Sequence, residues 1–306
     1  MNKKKTWSLA ILIVIILAII AVVVWPKGQK NNTVQSKSPI TIGSKNFTES
    51  KIVMQIYTDA LKKAGYNVKT KPNISSSVVY QAIKSGQVDL YPEYTGTIAM
   101  TYLKKHIVGK TPAQIAAIAK EGVAGVAKEN LTTLNYAPGS DAQGIAIKTS
   151  VAKKYGIKTI SDLQKKANKI RFASQGEFDK REDGIPGLEK AYGKFNFKSE
   201  KIYDPSLKYK VLARGDGDIT PASTTEGQLA TKDFFALKDD KNFWPAYNLV
   251  PLVREKTLKD NPGIKKILNK IDAKLTTKEL TLLNKKVDVD GESYQAVAKE
   301  WLKNNY

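Results

Sequence analysis

Beyond Pro39, short apolar runs alternate with stretches in which hydrophobic residues recur every three or four positions. The run at 40–43 stops at Gly43, and Ser44, Lys45 and Asn46 then lead into Ile52, Val53, Ile56, Tyr57 and Leu61 at helical spacing, the pattern of a strand feeding a helix. Gly86 closes another helical stretch, and the buried-looking run at 88–90 is followed by two tyrosines, a glutamate and two threonines in YPEYTGT. Strands are expected at 40–43, 67–71, 88–91, 144–147, 170–173, 202–204, 217–220 and 249–254. Helix starts are marked by Thr111 with Pro112 and Gln114, by Ser161 with Gln164 and by Thr276 with Glu279, and stops by Gly65, Gly86, Gly156 and Gly193. Such alternation argues for α/β lobes with mostly parallel sheets. Ligands of open α/β sheets sit at the carboxyl ends of strands, so the turns after the first and third strands are expected to form one wall of a ligand cleft.

Composition narrows the reading. A chain of 306 residues is long for one compact core and suits two medium lobes. With no cysteine, disulfides, thiolate metal sites and thiol catalysis are excluded, and the single histidine, His106, suits a solvated helix end. The sequence carries no phosphate-binding glycine loop, no H-E-x-x-H and no G-x-S-x-G, and Asp216, Asp218, Asp288 and Asp290 suit ordinary turns rather than a calcium loop. No catalysis, cofactor or metal is therefore expected. The net charge of +21 is spread along the chain without an aromatic-interleaved stripe, which favours loose attraction to an anionic wall or membrane over specific nucleic-acid binding.

The amino-terminal segment has its own character. Residues 7–25, WSLAILIVIILAIIAVVVW, are uncharged and apolar, and at about 1.5 Å per residue they reach roughly 28 Å, enough for a bilayer core. The expectation is an uncleaved transmembrane helix with Lys3, Lys4 and Lys5 on the cytoplasmic side and the remainder extracellular. A cleaved signal peptide is the rival, although the run ends in AVVVWPKG without an A-x-A site. Residues 26–38 are polar and read as a tether of about 20 Å reach.

GSKNFTES, SGQVDLYPEYTGT, FDKREDGIPGLEKAYG and TTEG ahead of FWPAYNLVPLVRE stand in the order and spacing of one family. The chain resembles the substrate-binding proteins of ABC importers for glycine betaine, carnitine and choline. The resemblance implies a two-lobed type II periplasmic-binding-protein fold, with lobe one at 39–142 plus 248–306 and lobe two at 143–247. It further implies an extracytoplasmic, monomeric receptor that captures a small quaternary ammonium or zwitterionic solute and delivers it to a permease driven by an ATPase. By that resemblance Lys45 and Arg181 hold a ligand carboxylate, Tyr94 and Tyr247 belong to an aromatic cage, and Thr97 contacts the ligand. Each has a bland alternative: core packing for Tyr94, one lysine among many for Lys45, a solvated run in DKRED for Arg181, and hinge packing behind FWPA for Tyr247. Glu93 is expected to be structural.

Three positions depart from the family pattern. Ser140, Asp141, Ala142 and Gln143 replace a turn that carries a tyrosine, Ser223 stands at a second ring position, and Ile185 replaces the tyrosine of D-G-Y-P-G. Losing two desolvated rings from a four-ring cage gives up roughly 2–4 kcal/mol of cation–π attraction. Asp141, Gln143 and Ser223 offer hydrogen bonds instead, so the alternatives are the same fold retuned for an amine or amino-acid-like ligand, or a surface sensor module.

Overall fold

The computed structural model describes residues 39–124, 131–176 and 178–306. The expected anchor at 7–25 and tether at 26–38 lie outside them, and no helix among the described residues is long and apolar enough to cross a membrane. Two five-stranded sheets organise the chain. The first has the order β2-β1-β3-β10-β4, built from β1 (Ile40–Lys45), β2 (Val68–Ile74), β3 (Leu90–Tyr94), β4 (Leu131–Thr133) and β10 (Leu249–Arg254). The second has the order β7-β6-β8-β5-β9, from β5 (Gln143–Lys148), β6 (Arg171–Ser174), β7 (Ser199–Ile202), β8 (Ile219–Ser223) and β9 (Phe234–Ala236).

Helices α1 (Thr48–Lys63), α2 (Val79–Lys84), α3 (Pro112–Ala124), α8 (Glu255–Asp260), α9 (Gly263–Asp272), α10 (Thr277–Asp288) and α11 (Tyr294–Asn305) accompany the first sheet in the chain, and α4 (Thr149–Tyr155), α5 (Ile160–Lys166), α6 (Ile185–Tyr192) and α7 (Lys208–Arg214) the second. The helical periodicity of α1 puts Ile52, Val53, Ile56 and Leu61 into a core with Ile42, Leu90, Leu268, Val297 and Trp301. Burying each such side chain is worth about 1.5–3 kcal/mol. Around the second sheet, Ile145, Ile147, Phe172 and Ile219 pack with Ile160, Leu163, Leu188 and Trp244. Ile185, the residue at the lost tyrosine position, packs against the edge of this core.

The sheets are mixed rather than mostly parallel. β1 pairs parallel with β2 and β3, while β10 runs antiparallel to β3 and β4. In the second sheet β6 is parallel to β7 and β8, and β5 antiparallel to β8 and β9. The antiparallel strands β10 and β5 are the ones that enter a sheet after the chain has crossed from the other. The two crossings touch: Ser140 bridges Asn248, and the Asp141 amide donates to the Tyr247 carbonyl at 3.0 Å.

Local chemistry moves several expected boundaries. β3 starts at Leu90, and just before it the Asp89 backbone bonds Thr41 and Arg254 while its side chain accepts from the Thr41 amide at 2.7 Å and pairs with Arg254. Pro92, facing Pro251 across the ladder, has no N–H to give, and the β1–β3 pairing stops at Leu90. α5 is capped by Thr159, whose hydroxyl accepts from the Asp162 amide in a reciprocal capping box, instead of by Ser161 with Gln164. The boxes at Thr111 and Gln114 and the Thr276 cap form as expected.

Candidate functional site

The carboxyl end of β1 and the residues after β3 meet on a buried charge. Lys45 Nζ pairs with Glu93 Oε1, both side chains being almost wholly enclosed. Glu93 also accepts from the Tyr94 amide at 2.9 Å, the Tyr91 hydroxyl at 3.0 Å and the Tyr102 hydroxyl at 2.8 Å. Burial and Glu93's negative charge push the Tyr102 hydroxyl well above its ordinary range. Glu93 is thus a structural hub, as expected, and Lys45 spends its charge on it.

Tyr94 is buried beside this pair, with Lys45 Nζ 5.1 Å from its ring centre and the Phe47 ring stacked at 6.3 Å. Its hydroxyl donates to Glu49 Oε1 at 2.6 Å. Glu49 Oε2 accepts from Asn284 Nδ2 at 2.8 Å, and the same nitrogen donates to the Thr225 carbonyl at 2.7 Å. The Thr225 hydroxyl in turn donates to Asp141 Oδ1 at 2.8 Å. A chain of hydrogen bonds therefore runs from α1 and α10, beside the first sheet, to the turn that leaves β8 in the second.

These carboxyl groups are held in an unusual state. Burial, aided by Asp141's charge, raises Glu49 from its ordinary 4.5 to about 7, against hydrogen bonds from Tyr94, Thr225 and Asn284. Burial also raises Asp141 from 3.8 to about 6, with Glu226 adding and Thr225, Ser223 and the Lys45 charge opposing.

Two cavities open here. The larger, about 520 Å³, is lined by Gln143, Gln175, Phe178, Arg181, Lys208 and Ser223 together with the β8 end and Glu226. Arg181 makes a two-pronged pair with Asp183 at 2.5 and 2.7 Å and stays half exposed, while Lys208 Nζ lies 2.5 Å from Glu226 Oε1. The smaller, about 330 Å³, is lined by Phe47, Thr48, Glu49, Asn284 and Asp288 from one side and by Asp141, Ser223, Thr225 and Glu226 from the other. Ser223 and Glu226 border both.

Of the seven residues singled out in the sequence, Gln143, Arg181 and Ser223 line the larger cavity. Tyr94 and Lys45 lie behind the smaller one, joined to it through Glu49. Tyr247 lies outside both cavities: its ring packs so tightly on Gly96 that a Cβ there would sit 2.6 Å from it. Burial pushes its hydroxyl to about 12, with Asp183 adding and Arg181 opposing, so it feels the charges of the other wall. Thr97 shares the Gly96 turn and lines neither cavity. Sequence reasoning missed Glu49, Asn284 and Lys208. Asn284 had a readable signal, an amide among Leu280, Thr281 and Leu283 on the buried side of α10.

A family model described as the substrate binding domain of ABC-type glycine betaine transport systems matches residues 38–304. The chain belongs to this family. It is a family of transport binding proteins, not of enzymes. The carnitine transport binding protein OpuCC of Listeria monocytogenes is 31% identical over 276 residues, covering 89% of this chain and 88% of that one. The ergothioneine transport permease/ergothioneine binding protein EgtU of Helicobacter pylori is 31% identical over 274 residues, and there this chain spans about half the relative, 48%. A crystal structure described as a glycine betaine/carnitine/choline ABC transporter superposes with a TM-score of 0.79 at 27% identity, covering 87% of this chain and 98% of that one. The two-sheet α/β architecture is accordingly the periplasmic-binding-protein fold.

Proposed function

We propose that this member of the glycine betaine substrate-binding family captures a small zwitterion between its two sheets and presents it to a membrane permease powered by an ATPase. The observation that carries the reading is the polarity of the joined cavities: Arg181 and Lys208 border one, Glu49 and Asp141 border the other, and Ser223 and Glu226 are common to both. A molecule with an anionic and a cationic end matches that arrangement, with its carboxylate toward Arg181. Relatives named for binding carnitine and ergothioneine, both zwitterions, support it.

In this reading Arg181, Gln143 and Ser223 touch the ligand, Tyr94 and Lys45 hold the floor beneath it, and Tyr247 and Thr97 shape the wall around Gly96. Residues 39–142 and 248–306 act as one lobe and 143–247 as the other, closing over the solute as a monomer. The apolar segment at 7–25 tethers the receptor to the outer face of the cell membrane. Calorimetric titration with glycine betaine, choline, carnitine, ergothioneine and a panel of amino acids tests the reading. Binding of at least one zwitterion, weakened tenfold or more by Arg181→Ala, is expected. Choline binding as tightly as every zwitterion would contradict it, since choline has no carboxylate.

A further inference from the structure

The cavity that both walls share carries charge that the chain itself does not balance. Glu226 is neutralised by Lys208 at 2.5 Å, and Asp288 is bonded by the Thr48 hydroxyl at 2.6 Å and feels Lys51. The hydrogen bonds to Glu49 and Asp141 come from neutral groups, Tyr94, Asn284, Thr225 and Ser223, and the one cation whose charge acts on Asp141 is Lys45. Lys45 is itself paired with the buried Glu93. Both groups hold their protons more tightly than ordinary carboxyls, which is how uncompensated buried charge behaves.

Asn284 adds an independent mark. It lines the cavity and is 4% exposed, and its nitrogen donates to both Glu49 Oε2 and the Thr225 carbonyl, which fixes the orientation of the amide. Its Oδ1 then meets no donor among the described residues. A buried acceptor without a donor is a standing cost that a ligand N–H removes. No group of acidic or histidine side chains among the described residues is spaced to hold a metal ion.

We propose that the smaller cavity is the cation subsite of this receptor and that it selects a nitrogen still bearing N–H bonds over a fully methylated ammonium. The inference rests on the zwitterion-capture reading and goes beyond it by assigning the cationic end to Glu49, Asp141 and Asn284. A protonated amine, amidinium or imidazolium brings both charge and a donor to hydrogen-bond distance. A quaternary ammonium has no hydrogen for Asn284 Oδ1, and its methyl groups hold the charge away from the carboxylates. Two ring positions of the family's cage, at Gln143 and Ser223, are polar here, so the hydrogen-bonding groups stand where cation–π attraction has been given up.

Titration calorimetry of the full chain with matched pairs tests this: dimethylglycine against glycine betaine, N-demethylated carnitine against carnitine, and lysine against Nε-trimethyllysine. The N–H member is expected to bind at least tenfold tighter wherever a pair binds. Glu49→Gln and Asn284→Leu, each checked for folding by thermal melt, are expected to cut that advantage below threefold. Equal or tighter binding of the methylated members overturns the subsite while leaving zwitterion capture standing. An advantage undiminished in both variants also overturns it, and absence of binding across every pair overturns both readings.

Discussion

Among single residues, Glu49 has the most direct consequence. Its folded-state affinity for protons exceeds that of an ordinary carboxyl, at about 7 against 4.5, and Asp141 follows at about 6 against 3.8. A raised carboxyl contributes stability that is fully present below its unfolded value and is lost as pH rises through its folded value. The ligand-free protein should therefore lose stability between about pH 4 and 7, by a few kcal/mol from the coupled pair. The buried Asp272 and the exposed Asp288 shift in the same direction. Thermal melts across pH 5–8 should show the midpoint falling with pH, and Glu49→Gln should flatten the slope and raise the midpoint at pH 8. A midpoint that climbs across that range would disprove the assignment.

At the level of elements, the turn after β8 ties the second sheet to α10 through the Asn284–Thr225 bond. Residues Gly227–Ala230 form a short 3-10 helix pressed against α10, and a Cβ at Gly227 would lie 2.6 Å from the Lys285 amide nitrogen and 2.7 Å from the Asn284 carbonyl carbon. Both contacts are backbone, so Gly227→Ala must push the turn away and open the Asn284–Thr225 bond. The expected result is a tenfold or greater loss of ligand affinity by calorimetry with a smaller change in melting temperature; unchanged affinity would uncouple the turn from the site.

The same scale shows what could be read from the chain. α1 and its strand were legible because Ile52, Val53, Ile56 and Leu61 keep one period over the whole element. β4 and β9, three residues each at sheet edges, are too short to show alternation and were missed. The expected strand at 202–204 lies at 199–202, because Asp204 turns the chain by capping the 3-10 helix Pro205–Leu207. Ser161 offered the right spacing for a cap, but starting the helix there would leave Ile160 outside it, and Ile160 is fully buried as its first residue. Lys45 matched a ligand-binding position while its partner Glu93 lay 48 residues away in sequence, a pairing that no local pattern reveals.

For the whole molecule, two sheets are connected by two touching crossings, and on the proposed reading a ligand that engages both walls sets their spacing. The crossings are tied by Ser140 with Asn248, by the Asp141 amide to the Tyr247 carbonyl, by the Tyr247 amide to Ser140 Oγ at 2.9 Å, by the Leu249 amide to the Gly139 carbonyl at 3.0 Å and by Asn248 Nδ2 to the Ala137 carbonyl at 3.0 Å. A solute bridging Arg181 and Glu49 adds contacts that exist only when the walls approach, which favours the closed arrangement by population shift. The absence of cysteine makes this directly measurable, since any thiol introduced is the only reactive one. Lys62→Cys on α1 and Lys190→Cys on α6 put one spin label on an exposed face of each body. The decisive measurement is the pulsed electron–electron distance between those labels with and without a saturating zwitterion found by calorimetry. A distribution that shifts by several ångströms and narrows on ligand addition is the predicted result, and a distribution that stays the same while the ligand is bound would contradict capture between the two walls.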